Sequence, residues 1–224
     1  MKILSVTSVP RLRWSSPKAL TLRPPLASVI GLIIGLMLFG LGEAILVAAG
    51  VGVSPWTVFA QGVTNVTGRS LGFAAFVISV FVLLLWIPLR QTPGIGTVLN
   101  AVIIALMLEY VLPFLPTFET YAANALLAIV GVLVTGLGGA IYLVANLGPG
   151  PRDGLMTGLQ TVTGKPIALV RTGLELSVVM IGWLLGGTLG LGTVFYAFGI
   201  GPALAIGMLL LQPRALQAGG PTSD

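Results

Sequence analysis

The sequence predicts an all-α membrane protein of six transmembrane helices, built as a 3+3 inverted repeat with two short re-entrant helices. Three observations carry that expectation: the composition, a series of long apolar runs, and a self-similarity at fixed offset. Of the 224 residues, 56% are hydrophobic and only 8% are charged, against roughly a quarter charged in soluble domains. Apolar runs at residues 26–51, 73–89, 97–115, 122–145, 168–185 and 191–211 have about the length a helix needs to cross a bilayer core of roughly 30 Å. Residues 40–68 align without a gap on residues 136–164 at an offset of 96, with 12 identities in 29 positions. Further on, Gly94, Gly96, Thr97 and Val98 recur as Gly190, Gly192, Thr193 and Val194. A fixed internal period sets the architecture before any single residue is read.

Four segments follow along the chain. Residues 1–24 form a basic tail with Lys2, Arg11, Arg13, Lys18 and Arg23 among three prolines, expected to lie in the cytoplasm near anionic headgroups. It lacks the short apolar core and cleavage site of a secretory signal, so its removal is not expected. The first repeat covers 25–116, the second 117–213, and residues 214–224 form a second cytoplasmic tail.

Each repeat reads as a long span, a short segment opened by proline, a second span, and a third span opened by Gly-X-Gly-Thr-Val. The short segments, 55–67 and 151–163, are interrupted by Gly62 and Gly158 and carry several polar side chains. At 1.5 Å per residue such a segment reaches about 20 Å, too little to span. Proline suits a first helical turn and glycine a helix end, so both read as short helices with sharp limits. Three spans per repeat is an odd number, which turns the second copy over in the membrane. With the N-terminus inside, ten of the eleven Lys and Arg residues fall on the inner side and only Arg69 outside, as the positive-inside rule requires. The placement is that of a multi-pass bacterial plasma-membrane protein with both termini cytoplasmic.

Composition also excludes function classes. The chain has no cysteine and no histidine, which removes thiolate sites, the commonest metal ligand and the easiest proton shuttle. The net charge of +5 sits on tails and loops, where it orients spans, so nucleic acid is not an expected partner. No nucleophile–base pair or metal cluster is visible, so neither an enzyme nor a bound metal or cofactor is expected.

Ionisable groups at membrane depth are functional candidates by default. Arg171 and Glu175 are four residues apart and can pair on one helix face. Glu43 has Gly139 as its repeat partner, so it breaks the symmetry. Glu43, Glu109 and Glu175 are the candidate carboxyls for proton or ion coupling. Arg152 and Asp153 open the second short helix, where unpaired N–H groups and the positive dipole end favour an anion. The matching positions of the first short helix are Trp56 and Thr57. If the two helix starts meet, they frame one cavity with Trp56, Thr57, Gln61, Arg152, Asp153 and Gln160 as its binding residues.

The Gly-X-Gly-X-X-Pro run at Gly50–Pro55 with Gly68, its counterpart Pro149–Gly154 with Thr163–Gly164, and the pairs Gly96–Thr97 and Gly192–Thr193 carry a family resemblance. Over residues 25–211 the chain resembles the YczE/YitT integral membrane proteins of bacteria. YitT-like proteins continue into a soluble C-terminal domain, whereas this sequence stops at Asp224, so the shorter YczE type is expected. The resemblance implies a fold relative and supplies no substrate.

The expected function is that of a small secondary transporter or exporter of a small polar or anionic solute, in the plan of inverted-repeat transporters. Two alternatives stand beside it: a substrate-binding membrane subunit of an energy-coupled importer, and a non-transporting membrane scaffold or regulator. The lipid bilayer is the one partner the composition demands, and the oligomeric state stays open.

Overall fold

The computed structural model describes residues 9–211; the extreme N-terminal positions and the second tail, 214–224, lie outside them. Among the described residues all regular structure is helical: α1 (Leu26–Ala48), α2 (Pro55–Thr67), α3 (Leu71–Leu85), α4 (Ile95–Tyr110), a 3-10 turn (Leu112–Phe114), α5 (Tyr121–Ala145), α6 (Pro151–Thr163), α7 (Ile167–Leu184) and α8 (Leu191–Leu211). Adding 96 to the bounds of α2 gives those of α6, and the starts of α3 and α4 become the starts of α7 and α8.

The helix ends follow from local chemistry. Pro55 and Pro151 occupy first-turn positions, where a missing N–H costs nothing. Gly68 and Gly164 close the same two helices in the left-handed region, φ 68° and 65°, a conformation glycine adopts without a Cβ penalty. Ser70 caps α3, its hydroxyl accepting the Phe73 N–H at 3.3 Å.

Helices α1, α5, α7 and α8 are each long and apolar enough to cross a bilayer alone, as is α4 with its 3-10 turn over residues 95–114. The expected span at 73–89 comes out differently. Helix α3 stops at Leu85, and Trp86 and the residues up to Arg90 form turns. Pro88 follows there, and the residue before a proline is pushed out of helical geometry. Fifteen residues reach about 22 Å, so α3 makes a sixth crossing only together with α2, from which it is bent by 113°.

Helices α1 and α5 form the centre. Gly35 lies against Gly138 and Tyr142, and seven residues later Gly42 lies against Gly131 and Thr135. Rising numbers on α1 meet falling numbers on α5, so these two repeat-equivalent helices run antiparallel. Small residues allow the backbones to touch: a Cβ on Gly35, Gly42 or Gly138 would meet backbone of the other helix.

The two halves also exchange an identical clasp. The Gly96 N–H donates to the Leu147 carbonyl at 2.7 Å, and the Gly192 N–H donates to the Val51 carbonyl at 2.8 Å. Each Gly-X-Gly-Thr-Val opening thus holds the loop before the short helix of the other repeat. Within each opening the threonine hydroxyl accepts the first glycine N–H, Gly94 to Thr97 at 3.1 Å and Gly190 to Thr193 at 3.4 Å. Gly52 and Gly148 have φ of 111° and 112° and pack on Gly190 and Gly94 respectively, so glycine is required there on both counts.

Part of the basic N-terminal segment is built into the bundle rather than lying free at its surface. The Ser16 N–H donates to the Ala145 carbonyl at 3.0 Å, Asn146 Nδ2 donates to the Ser16 carbonyl at 2.7 Å, and the Ser28 hydroxyl donates to the Trp14 carbonyl at 2.6 Å. The Trp14 ring covers Gly31 of α1.

Candidate functional site

The starts of α2 and α6 meet at a cavity of about 270 Å³. Three pairs of repeat-equivalent residues line it: Trp56 with Arg152, Asn100 with Tyr196, and Ile104 with Ile200. Both halves of the chain therefore contribute equivalent positions to the cavity wall, and two of the three pairs differ in side-chain chemistry.

The α6 side is held from several directions. Trp86 Nε1 donates to the Pro151 carbonyl at 3.0 Å, and the Thr97 hydroxyl donates to the Pro149 carbonyl at 2.7 Å. A Cβ on Gly154 would overlap the Trp86 ring, so glycine there admits the indole that fixes the first turn. Gly150, the residue preceding that turn, offers no side-chain cap, leaving backbone N–H groups to face the polar end.

The charges in the cavity have distinct partners. The Arg152 guanidinium carbon stands 5.2 Å from the centroid of the Trp56 ring, a cation–π contact worth about 0.5–2 kcal/mol. Asp153 Oδ2 accepts a hydrogen bond from the Tyr142 hydroxyl at 2.7 Å, and Tyr142 packs edge-on to Phe39 at 6.1 Å. Arg171 Nε donates to Glu175 Oε1 at 2.9 Å on α7, with both side chains on the cavity wall. Both carboxylates are thus engaged, while Arg152 has no carboxylate or hydrogen-bond partner among the described residues. A guanidinium with its donors free beside an uncapped helix start is chemically an anion receptor.

Glu43 lies on α1, fully buried at 1% exposure, and does not line the cavity. Its Oε2 accepts from the Ser54 hydroxyl at 2.7 Å and the Thr57 hydroxyl at 2.7 Å, and those two hydroxyls are 2.9 Å apart. Its Oε1 has no hydrogen-bond partner among the described residues. In the second half the equivalent positions are Gly139, Gly150 and Asp153. The acid has moved from the long helix to the short one, and Tyr142 stands where the first half has Leu46.

Of the residues expected from sequence, Trp56, Arg152, Asp153 and Glu175 come together in the cavity. Thr57 turns away from it toward Glu43. Gln61 serves the connection between α7 and α8, its Oε1 accepting the Thr188 N–H at 2.9 Å. Gln160 lies further along α6, outside the cavity lining. Glu109 occupies a separate groove against Gly72 of α3, with Oε2 buried and unpaired. Sequence reasoning passed over Tyr142, Tyr196 and Asn100. Their signal lay in the repeat itself, since Leu46 faces Tyr142 and Asn100 faces Tyr196 at offset 96, pairs as chemically unlike as Trp56 and Arg152.

Helices of this length and apolarity, two short helices with proline-opened starts, and a charged cavity between those starts define a polytopic α-helical membrane protein with an internal ligand-sized site. Residues 26–208 match the model of a family of unknown function, DUF6198, and the chain belongs to that family. It is 39% identical over 196 residues to an uncharacterized protein of Haemophilus influenzae, covering 88% of this chain and 89% of that one. It is 30% identical over 185 residues to the uncharacterized membrane protein YczE of Bacillus subtilis, covering 82% and 84% of the two chains. The uncharacterized protein YyaS of the same organism is 26% identical over 167 residues, 72% of this chain and 82% of its own. No solved structure matches the chain. The YczE-like membership expected from the glycine motifs is thereby established.

Proposed function

We propose that the protein is a small secondary transporter or exporter of a small polar or anionic solute, working as a 3+3 inverted repeat in the bacterial plasma membrane with both termini cytoplasmic. The observation that carries this reading is Arg152: among the described residues it is the charged group of the cavity left without a polar partner, stacked on the repeat-equivalent Trp56. An anion would take the guanidinium and the N–H groups at the start of α6, as anionic groups do at broken helices of inverted-repeat transporters. The antiparallel run of α1 and α5 and the reciprocal clasps support an axis in the membrane plane. With six crossings, the bent α2–α3 pair forms the second of them and α7 the fifth.

Thermal unfolding of the purified protein in the presence of small carboxylates, phosphates and sulfonates tests the site. At least one class stabilises the parent protein and leaves Arg152→Gln unmoved. Equal stabilisation of both proteins by every anion would remove Arg152 from the site. The absence of native cysteine allows a topology test by single cysteines. Those at Gln91 and Lys165 label from the cytoplasm and one at Thr117 from outside; labelling of positions 69 and 91 from one side would refute the inverted arrangement.

A further inference from the structure

The contacts of Glu43 pose a proton-counting problem. Glu43 Oε2, the Ser54 hydroxyl and the Thr57 hydroxyl form a closed triangle with edges of 2.7, 2.7 and 2.9 Å. Every edge is a hydrogen-bond distance for oxygen. The two hydroxyls bring two protons, and an ionised carboxylate brings none. Two protons serve two edges, so with Glu43 ionised one edge sets lone pairs against each other. A proton on Oε2 supplies the third donor, and the three groups close a ring in which each donates once and accepts once. Burial favours the same state. Glu43 is 1% exposed and its Oε1 is unpartnered, and an orphaned oxygen of a neutral acid costs far less in an apolar interior than one sharing a full charge.

The ring is also joined to the cavity. Ser54 and Thr57 flank Pro55 and Trp56, both of which line it. Ser54 and Thr57 are themselves buried, at 0% and 2% exposure, so their hydroxyls have no water to turn to. From α8, Tyr196 is the titratable group that faces Glu43; it is a cavity wall residue within electrostatic reach of Arg152 and Arg171 as well. The other helices packed on this stretch of α1 bring Met107 from α4 against Gly40 and Thr135 from α5 against Gly42.

We propose that Glu43 holds a proton in the state described and that exchange of this proton is coupled to movement of the solute through the adjoining cavity. The coupling half of the proposal rests on the transport reading given above. Loss of the proton breaks the Glu43 O–H bond, and the proton leaves to water along the Tyr196 side, with no change of oxidation state. The ring then lacks a donor, and the turn carrying Trp56, and with it the Arg152 stack, loses its support. By linkage, a solute that draws Arg152 away from Trp56 favours release of the same proton.

Infrared difference spectroscopy of the full-length protein in lipid reads the proton without any solute. The expected result is a protonated-carboxyl C=O band that is lost in Glu43→Gln. Thr57→Val, which keeps the shape and removes one hydroxyl, shifts the same band, so the assignment does not depend on Glu43→Gln folding. A spectrum in which neither change alters any protonated-carboxyl band overturns the proposal, whatever the protein transports. In proteoliposomes, Glu43→Gln is expected to abolish the response of anion flux to a pH gradient. A pH-gradient response equal to the parent's would overturn the coupling, whereas a parent protein that moves no anion would count against the transport reading and not against the proton.

Discussion

The guanidinium of Arg152 stacks on the ring of Trp56 at 5.2 Å, and the two residues occupy the same position of the two repeats. One copy of the position is therefore cationic and the other aromatic, and the two copies meet. Both sit on helix starts fixed by proline and by the clasps from the opposite half.

Trp56→Phe keeps an apolar wall but weakens the cation–π contact. The expected loss is about 0.5–1 kcal/mol of unfolding stability, read by thermal denaturation, together with weaker anion stabilisation. An unchanged response to anions would show that the ring does not position Arg152.

The clasp glycines are expected to be intolerant of a single methyl group. Gly192→Ala drives its Cβ into the Gly52 carbonyl, and Gly96→Ala drives its own into that of Leu147. Each is expected to cost about 1–3 kcal/mol, as overpacking does. Gly173→Ala on α7, where a Cβ meets nothing within 4 Å, is expected to be neutral or slightly stabilising. Equal melting temperatures for all three variants would show that the clasps do not hold the halves together.

Trp86 and Gly154 form a size-matched pair, with the indole lying where a Cβ on residue 154 would go. Gly154→Ala is expected to destabilise the parent strongly but much less in a Trp86→Phe background, which lacks the second ring. A double-mutant cycle gives a coupling of about 1 kcal/mol or more for such a contact. Additive effects would mean the two residues do not touch.

Arg171 and Glu175 are partly exposed, at 53% and 28% of their side chains, so the pair contributes modestly. Replacing either alone with an apolar residue is expected to lower the melting temperature, and replacing both is expected to restore most of the loss, because the unpaired charge is the costly species. A double variant that stays as stable as the parent yet fails to bind anion would assign the pair to the site.

Much of this arrangement was legible in the residues. The bounds of α2 and α6 follow from Pro55 and Gly68, and from Pro151 and Gly164, because those residue types act on the backbone within one turn. The Arg171–Glu175 pair follows from its spacing of four on a helix. What stayed hidden depends on long-range packing. No local pattern tells that Thr57 faces Glu43 and not the cavity, or that Gln61 serves a loop more than a hundred residues away. The docking of Trp14 on Gly31 depends on a tertiary partner in the same way, whereas the early stop of α3 was signalled locally by Pro88. The cavity tyrosines were written in the sequence only as mismatches between the repeats, visible once unlike residues at offset 96 are given as much weight as like ones.

Anion flux in proteoliposomes tests the central claim most directly. Protein reconstituted in lipid is loaded with a small carboxylate, phosphate or sulfonate that stabilises it, and exchange for external labelled anion is followed. Saturable exchange is expected in the parent protein, with Arg152→Gln reduced to the level of empty liposomes while its stability stays within about 1 kcal/mol of the parent's. A folded parent protein that exchanges none of its stabilising anions, or an Arg152→Gln variant that exchanges them at the parent rate, would contradict the account.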